Sequence, residues 1–337
     1  MNEIMIQRIY PVMVLYKCKL SESRTYQSLL KEADGLKHFM VYDNSPMSYE
    51  QDASQMPKGV TYIRDTSNSG LSIAYNKGAA KAKELGFSHI LLLDQDTLFA
   101  ANTWKAYNDN LDFNGIVAPL MITDQGVPFS PTDVTGLMSK AVKAVPGDYS
   151  LFKYNVANSG ICVPLDIFER VGGYDLNVYL DYSDNQFLRR VRKVFPNIRL
   201  LNVVAQQDFS GDCRDYKRLL PRFLRYLDSA NNFKTEGLKD TLGHWMTVFK
   251  LCSSYTSNEK YDIYSQVYNT IFTKEKQMIS VCIATYNGKE ELRRQLDSIY
   301  PQLSVDDEIV ISDDNSTDGT RELIKTYIDN DACLPKV

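Results

Sequence analysis

Histidine is scarce in this chain. The 337 residues contain three, His38, His89 and His244, far apart and in no metal-ligand spacing. That argues against zinc hydrolase chemistry and a Ser-His-Asp triad, and leaves carboxylates to carry acid–base work. Cysteine is also thin: Cys18, Cys162, Cys213, Cys252, Cys282 and Cys333 form no CxxC pair. They read as reduced core thiols of a cytosolic protein rather than a disulfide framework. An excess of positive charge is missing. Lys and Arg number 38 against 42 Asp and Glu, for a net charge of -4, which argues against a dedicated nucleic-acid binder. No window approaches the roughly 20 apolar residues of a membrane span, and residues 1–8 lack the apolar stretch of a signal peptide. The expected location is the cytoplasm, with peripheral contact at the inner face of the membrane left open.

What is present is material for a large core, with 44% hydrophobic and 24% charged residues. The length suggests two domains and a fragment of a third. Short apolar runs at 12–16, 38–42, 60–63 and 89–93 read as strands. Helical stretches separate them near 25–30 and 74–85, the latter stopping at Gly86. Repeated strand–helix–strand units predict an α/β fold with a mostly parallel sheet. Residues 112–154 look looser. Order returns at Asn158–Pro164, with helices over 165–170 and 184–194. Residues 214–277 read as several helices. At 278 the chain restarts: Val281-Cys282-Ile283-Ala284-Thr285-Tyr286 and Ile309-Val310-Ile311-Ser312-Asp313-Asp314-Asn315-Ser316 mirror the first strand and Met40-Val41-Tyr42-Asp43-Asn44-Ser45. This internal repeat divides the chain into 1–213, 214–277 and 278–337, the last lacking counterparts of the third and fourth strands.

Three motifs carry chemistry. In Leu93-Asp94-Gln95-Asp96-Thr97 two carboxylates follow a buried strand, at the edge where open α/β sheets bind ligands. At i and i+2 they approach one hard cation, Mg²⁺ or Mn²⁺, which then bridges a diphosphate. The string from Asn68 through Gly70, Ala74 and Asn76 to Gly78 puts small and amide residues where a helix opens, suited to close approach of a nucleotide. Asp181 and Asp184 precede a helix. Either is a general base if the fold brings it across from Asp94 and Asp96, and otherwise a helix N-terminal carboxylate.

In this order the motifs resemble the family-2 glycosyltransferases of GT-A fold: a strand ending in Tyr16, Asp43-Asn44-Ser45, the Asn68–Gly78 string, Asp94-Gln95-Asp96, Asn158-Ser159-Gly160, and Val171-Gly172-Gly173-Tyr174-Asp175 before Asp181 and Asp184. The resemblance covers about residues 8–212 and restarts at 278. Leu-Asp-Gln-Asp-Thr and Leu-Asp-Tyr-Ser-Asp give it a rhamnosyltransferase flavour, as in bacterial surface-polysaccharide enzymes. It implies a nucleotide-diphosphate sugar donor and a saccharide or polyprenyl-linked acceptor. It also implies a donor-binding set of Tyr16, Asp43, Asn68, Gly70, Asn76, Asp94 and Gln95, with Asp43 on the pyrimidine. Asp94 holds the ribose or the metal side, Asp96 ligates the cation, Asp184 is the inverting base, and Asp181 is its neighbour. The family's later metal-ligand His is missing, so Asp208 or Gln207 is the candidate replacement. Lys17 stands where the family usually has Asn, as the second copy does at Asn287.

Two alternatives stay open: a phosphatase with Asp94 as nucleophile, and a non-catalytic nucleotide-sugar-binding partner in a polysaccharide assembly. The basic, apolar run 217–227 reads either as a packed amphipathic helix or as a surface for an anionic membrane, with Pro221 weakening any helix there. The oligomeric state is not legible.

Overall fold

Every residue of Ile9–Leu15 (β1) is buried, as an apolar run without alternation requires of a strand covered on both faces. The computed structural model describes residues 8–32, 36–49, 56–207, 216–256, 279–299 and 308–329. In it Phe39–Asp43 (β2) pairs in parallel with β1, Val60–Arg64 (β3) with β2, and His89–Leu93 (β4) with β1 on its other side. The crossovers carry Arg24–Leu29 (α1) and Leu71–Glu84 (α2). Alternate residues of β1 feed two cores. Tyr10, Val12 and Val14 pack with Ala74, Tyr75 and Ala79 of α2, while Ile9, Met13 and Leu15 face Leu20, Leu29 and Trp104. A Cβ on Gly78 would come within 2.3 Å of the Val12 side chain, so the glycine sets how closely α2 approaches the sheet.

The sheet continues past β4 into mixed territory. Thr97–Phe99 (β5) leaves the Asp94 turn, and Ile116–Thr123 (β6) follows Thr103–Asn108 (α3). Cys162–Pro164 inserts antiparallel between β4 and β6. Asn197–Gln207 runs parallel to β6 and pairs its last residues with β5, while Gly147–Ser150 lies antiparallel at the edge. Ten strands result. The stretch expected to be loose thus contains an eight-residue, largely buried strand in β6. Leu165–Arg170 (α4) and Ser183–Val194 (α5) match the expected helices closely.

Tyr216–Asn232 (α6) and Leu238–Thr256 (α7) complete the first compact unit, Met1–Val267. Contrary to the expectation at Pro221, α6 runs through it; the proline falls in the second turn, where it forfeits one backbone hydrogen bond. Among the described residues no helix is long and apolar enough to cross a membrane.

The second unit, Tyr268–Val337, contains the parallel strands Ser280–Thr285 and Glu308–Asp313. They bury Ile309 with Leu292, Leu296 and Leu323 of two flanking helices. Its local geometry repeats that of β1 and β2. Thr285 pairs with Asp313 as Leu15 pairs with Asp43. The Asp314 amide bonds to the Thr285 carbonyl at 2.9 Å, as the Asn44 amide bonds to the Leu15 carbonyl at 2.8 Å. Asn287 and Lys17 both adopt left-handed backbone, with φ of 46° and 50°. Each donates its amide to a serine, Ser316 or Ser45, at 2.8 Å. The backbone role of this position therefore tolerates lysine. What Lys17 cannot supply is the side-chain oxygen with which Asn287 accepts from the Thr317 amide at 2.8 Å.

Candidate functional site

At the C-terminal edge of β1 and β4 the sheet opens into a cavity of about 500 Å³. Tyr16, Asn68, Gly70, Asp94, Gln95, Asp96, Asp181 and Asp184 all line it. The fold therefore brings together carboxylates that lie about 90 residues apart in sequence.

Asp94 and Asp96 sit on the turn between β4 and β5. Asp94 accepts a hydrogen bond from the Tyr75 hydroxyl at 3.2 Å and another from the Gln207 amide nitrogen at 3.2 Å. The same nitrogen donates to Asp96 at 3.0 Å. Gln207 reaches this point because it ends the strand that pairs with β5, opposite Thr97. Two carboxylates thus converge on one electropositive group. Gln95 turns the other way. Its amide clasps the Tyr16 backbone, accepting from the nitrogen at 2.7 Å and donating to the carbonyl at 3.3 Å. It orders the rim and leaves Tyr16 forty per cent exposed.

Asp43 does not reach the cavity. It is fully buried; Oδ1 accepts from the Ser45 amide at 2.9 Å and Oδ2 from the Tyr62 hydroxyl at 2.8 Å. The wall is formed instead by Asn44. Asn44 is 3% exposed, and its Oδ1 has no hydrogen-bond partner among the described residues. Buried polar oxygens are rarely left unpaired, and this one lies beside the cavity without itself being exposed to it. Strand register in the two units aligns Asn44 with Asp314, and Asp43 with Asp313.

The Asn68–Gly78 string has another use than expected. Gly70 has φ of 94°, and a Cβ there would meet the Tyr179 carbonyl at 2.5 Å. The first amides of α2, Leu71 and Ser72, donate to that carbonyl at 2.7 and 3.3 Å, so this helix terminus is satisfied within the chain. Asn76 is turned onto the Tyr174 backbone, donating to its carbonyl at 2.9 Å and accepting from its nitrogen at 2.7 Å. The string anchors the 174–180 segment, and that segment delivers Asp181 and Asp184. Asn68 and Gly70 still line the cavity, whereas Asn76 is not on its wall.

Asp184 opens α5 beside Tyr182, whose backbone is left-handed at φ 62°. Its carboxylate accepts from the Asn185 amide at 2.7 Å. Burial, and then the nearby Asp181, push its pKa up to about 6. Burial, and then Asp96, do the same to Asp94, also to about 6, with Asp184 adding a smaller push. Each of these carboxyls is costly to ionise, and a bound cation would relieve the pair Asp94–Asp96 directly.

The donor set fits a divalent cation of the Mg²⁺ type, which takes one or two carboxylates and fills the rest of its shell from phosphate and water. Asp94 and Asp96 offer two oxygens to one point, and the Gln207 amide offers a third if its oxygen turns inward. No group of three His, Cys, Asp or Glu side chains gathers for a metal among the described residues. Asp208, the other expected ligand, lies outside the described residues.

Residues 12–130 and 280–334 match the model of glycosyl transferase family 2. The chain belongs to this family, which sets aside the aspartyl phosphatase alternative. Its mostly parallel sheet flanked by helices is the GT-A arrangement. Among curated proteins it is similar to the dTDP-rhamnosyl transferase RfbF of Shigella flexneri, 26% identical over 216 residues, or 60% of this chain and 71% of that one. It is also similar to the abequosyltransferase RfbV of Salmonella typhimurium, 51% identical over 55 residues, which is only 16% of either chain. Solved structures similar to it include GalNAc-T7 with UDP, GalNAc and Mn²⁺, at 13% identity and a TM-score of 0.47, covering 79% of this chain and 59% of that one. Another is S. aureus TarS 1–349 with UDP-GlcNAc, at 10% identity and a TM-score of 0.46, covering 79% and 82%.

Proposed function

We propose that the chain is an inverting glycosyltransferase that moves a hexosyl or deoxyhexosyl group, rhamnose being the leading candidate, from a nucleoside-diphosphate sugar to a hydroxyl of a saccharide or polyprenyl-linked acceptor in surface-polysaccharide synthesis. One observation carries this: a carboxylate pair at a strand end and the desolvated carboxylate Asp184 line the same cavity. Similarity to a dTDP-rhamnosyl transferase supports the choice of sugar.

The chemistry follows from the geometry. Asp184 accepts the proton of the acceptor hydroxyl as its oxygen bonds to the anomeric carbon. The bond from that carbon to the phosphate oxygen breaks, and the nucleoside diphosphate leaves with the electron pair. Attack opposite the leaving group inverts the centre, and one base is enough. General-base assistance of this kind is worth about 10²–10⁴-fold. Asp94 and Asp96, with Gln207 beside them, would hold a divalent cation, which would supply charge neutralisation for the diphosphate. Asn44, on the cavity wall, stands nearest the role on the nucleobase assigned to Asp43 from sequence. Tyr16 supplies an exposed ring at the rim.

Residues 278–337 are the opening of a second family-2 unit, supported by the separate match over 280–334 and by the repeated turn geometry. The residues of the site all come from the first unit. A panel of UDP-, dTDP- and GDP-sugars, scored for release of the nucleoside diphosphate with Mg²⁺, with Mn²⁺ and with EDTA, tests the proposal. Turnover of one donor is the expected result; no release from any donor under any condition counts against it.

A further inference from the structure

The cavity presents an electrostatic problem. Four aspartates line it, Asp94, Asp96, Asp181 and Asp184, and among the described residues of its wall the sole cationic side chain is Arg225 on α6. A nucleoside diphosphate brings further negative charge into this acidic space. Two carboxylates and one divalent cation together come to neutrality, so the cation alone leaves the diphosphate uncompensated.

Arg225 is exposed and makes no hydrogen bond or ion pair among the described residues. Other arginines of this region are committed. Arg189 is paired with Asp240, Arg192 with Glu236, and Arg190 donates to the Val171 carbonyl at 3.0 Å. Phe223 and Leu227, one turn apart on the opposite face of α6, are buried and fix the helix so that Arg225 points away from the packed side. The hydroxyl of its neighbour Tyr226 lies 2.5 Å from that of Tyr182, which ties α6 to the turn bearing Asp181 and Asp184. Among the described residues, an uncommitted guanidinium thus stands at the wall of an acidic cavity.

We propose that Arg225 binds the diphosphate of the donor and stabilises the leaving nucleoside diphosphate, an inference that rests on the glycosyltransferase reading above. A guanidinium offers parallel N–H donors that match two phosphate oxygens, with a charge that cannot be titrated away. As the glycosidic bond breaks, negative charge grows on the diphosphate, and a cation fixed in advance stabilises that change. The site then divides the work. Asp94 and Asp96 would hold the cation, and Arg225 acts on the diphosphate directly.

Titration calorimetry of UDP and dTDP, with Mg²⁺, against wild type, Arg225→Ala and Arg225→Lys tests this, with uridine and thymidine as uncharged controls. Arg225→Ala is expected to weaken the better-bound diphosphate by at least about tenfold and to leave its nucleoside unchanged, with Arg225→Lys in between. Because Arg225 is exposed, its removal leaves the melting temperature in place. Equal diphosphate affinity in wild type and Arg225→Ala overturns the proposal and leaves the donor reading intact. A wild-type protein that binds neither UDP nor dTDP, nor GDP or ADP offered in their place, overturns both.

Discussion

Asn76 embraces the backbone of Tyr174 with both ends of its amide, at 2.7 and 2.9 Å. The two residues are 98 positions apart, and the contact joins α2 to the segment that leads into Asp181 and Asp184. Gly173 makes room for it: a Cβ there would meet Asn76 Oδ1 at 2.4 Å. A sequence string that invites assignment to the ligand therefore serves the assembly of the site.

Asn76→Ala is expected to lose about 2 kcal/mol of folding stability, the usual cost of two hydrogen bonds whose backbone partners are left unpaired in a partly buried place. Urea unfolding measures it. Because the damage is to loop placement, turnover should fall further than nucleotide affinity does.

Acid should silence the protein early. Asp184 titrates at about 6, so its base form is lost as the pH falls through that value, and turnover should climb between pH 5 and 7 and level off above. The same upward shift has a stability consequence. A carboxyl whose folded pKa lies above its unfolded value favours folding while it is protonated, and that contribution disappears as the pH rises from about 4 through about 6. Asp184→Asn is therefore expected to be more stable than wild type at pH 7.5, by on the order of 1–3 kcal/mol, and not at pH 4. Thermal melts at the two pH values give both signs.

The first four strands were legible because β1, β2 and β4 are uninterrupted apolar runs buried on both faces, a pattern set by local sequence. β6 was not legible. Pro119 interrupts it and Pro, Gly and Ser surround it, which locally says loop, yet pairing with Asn197–Gln207 and Cys162–Pro164 makes it central. Gln207 was visible as a substitute for a missing histidine, but its position between Asp94 and Asp96 depends on a strand pairing about 110 residues distant. Asn44 was hidden by one position of register. Asp43 is the more conspicuous residue, and only the paired strands of the repeat show which of the two meets the cavity. Arg225 carried no signal of its own, since it lies in a run dense with basic residues.

Removing residues 268–337 should leave donor-dependent turnover within about twofold of the full chain. The cavity is built from the unit Met1–Val267. A folded truncation with less than a tenth of the activity would mean that the second unit supplies part of the site. Activity per folded molecule, with circular dichroism to confirm the fold, reads the outcome.

The base is tested by turnover and donor affinity of Asp184→Asn beside Asp181→Asn, on the donor that wild type accepts. The carboxamide introduced by Asp184→Asn keeps an oxygen for the Asn185 amide and loses only the capacity to take a proton, so donor affinity is predicted to stay within about threefold. Turnover is predicted to fall by at least about 10²-fold, and by less for Asp181→Asn. Sugar transfer by Asp184→Asn at the wild-type rate would contradict the assignment of Asp184 as the base.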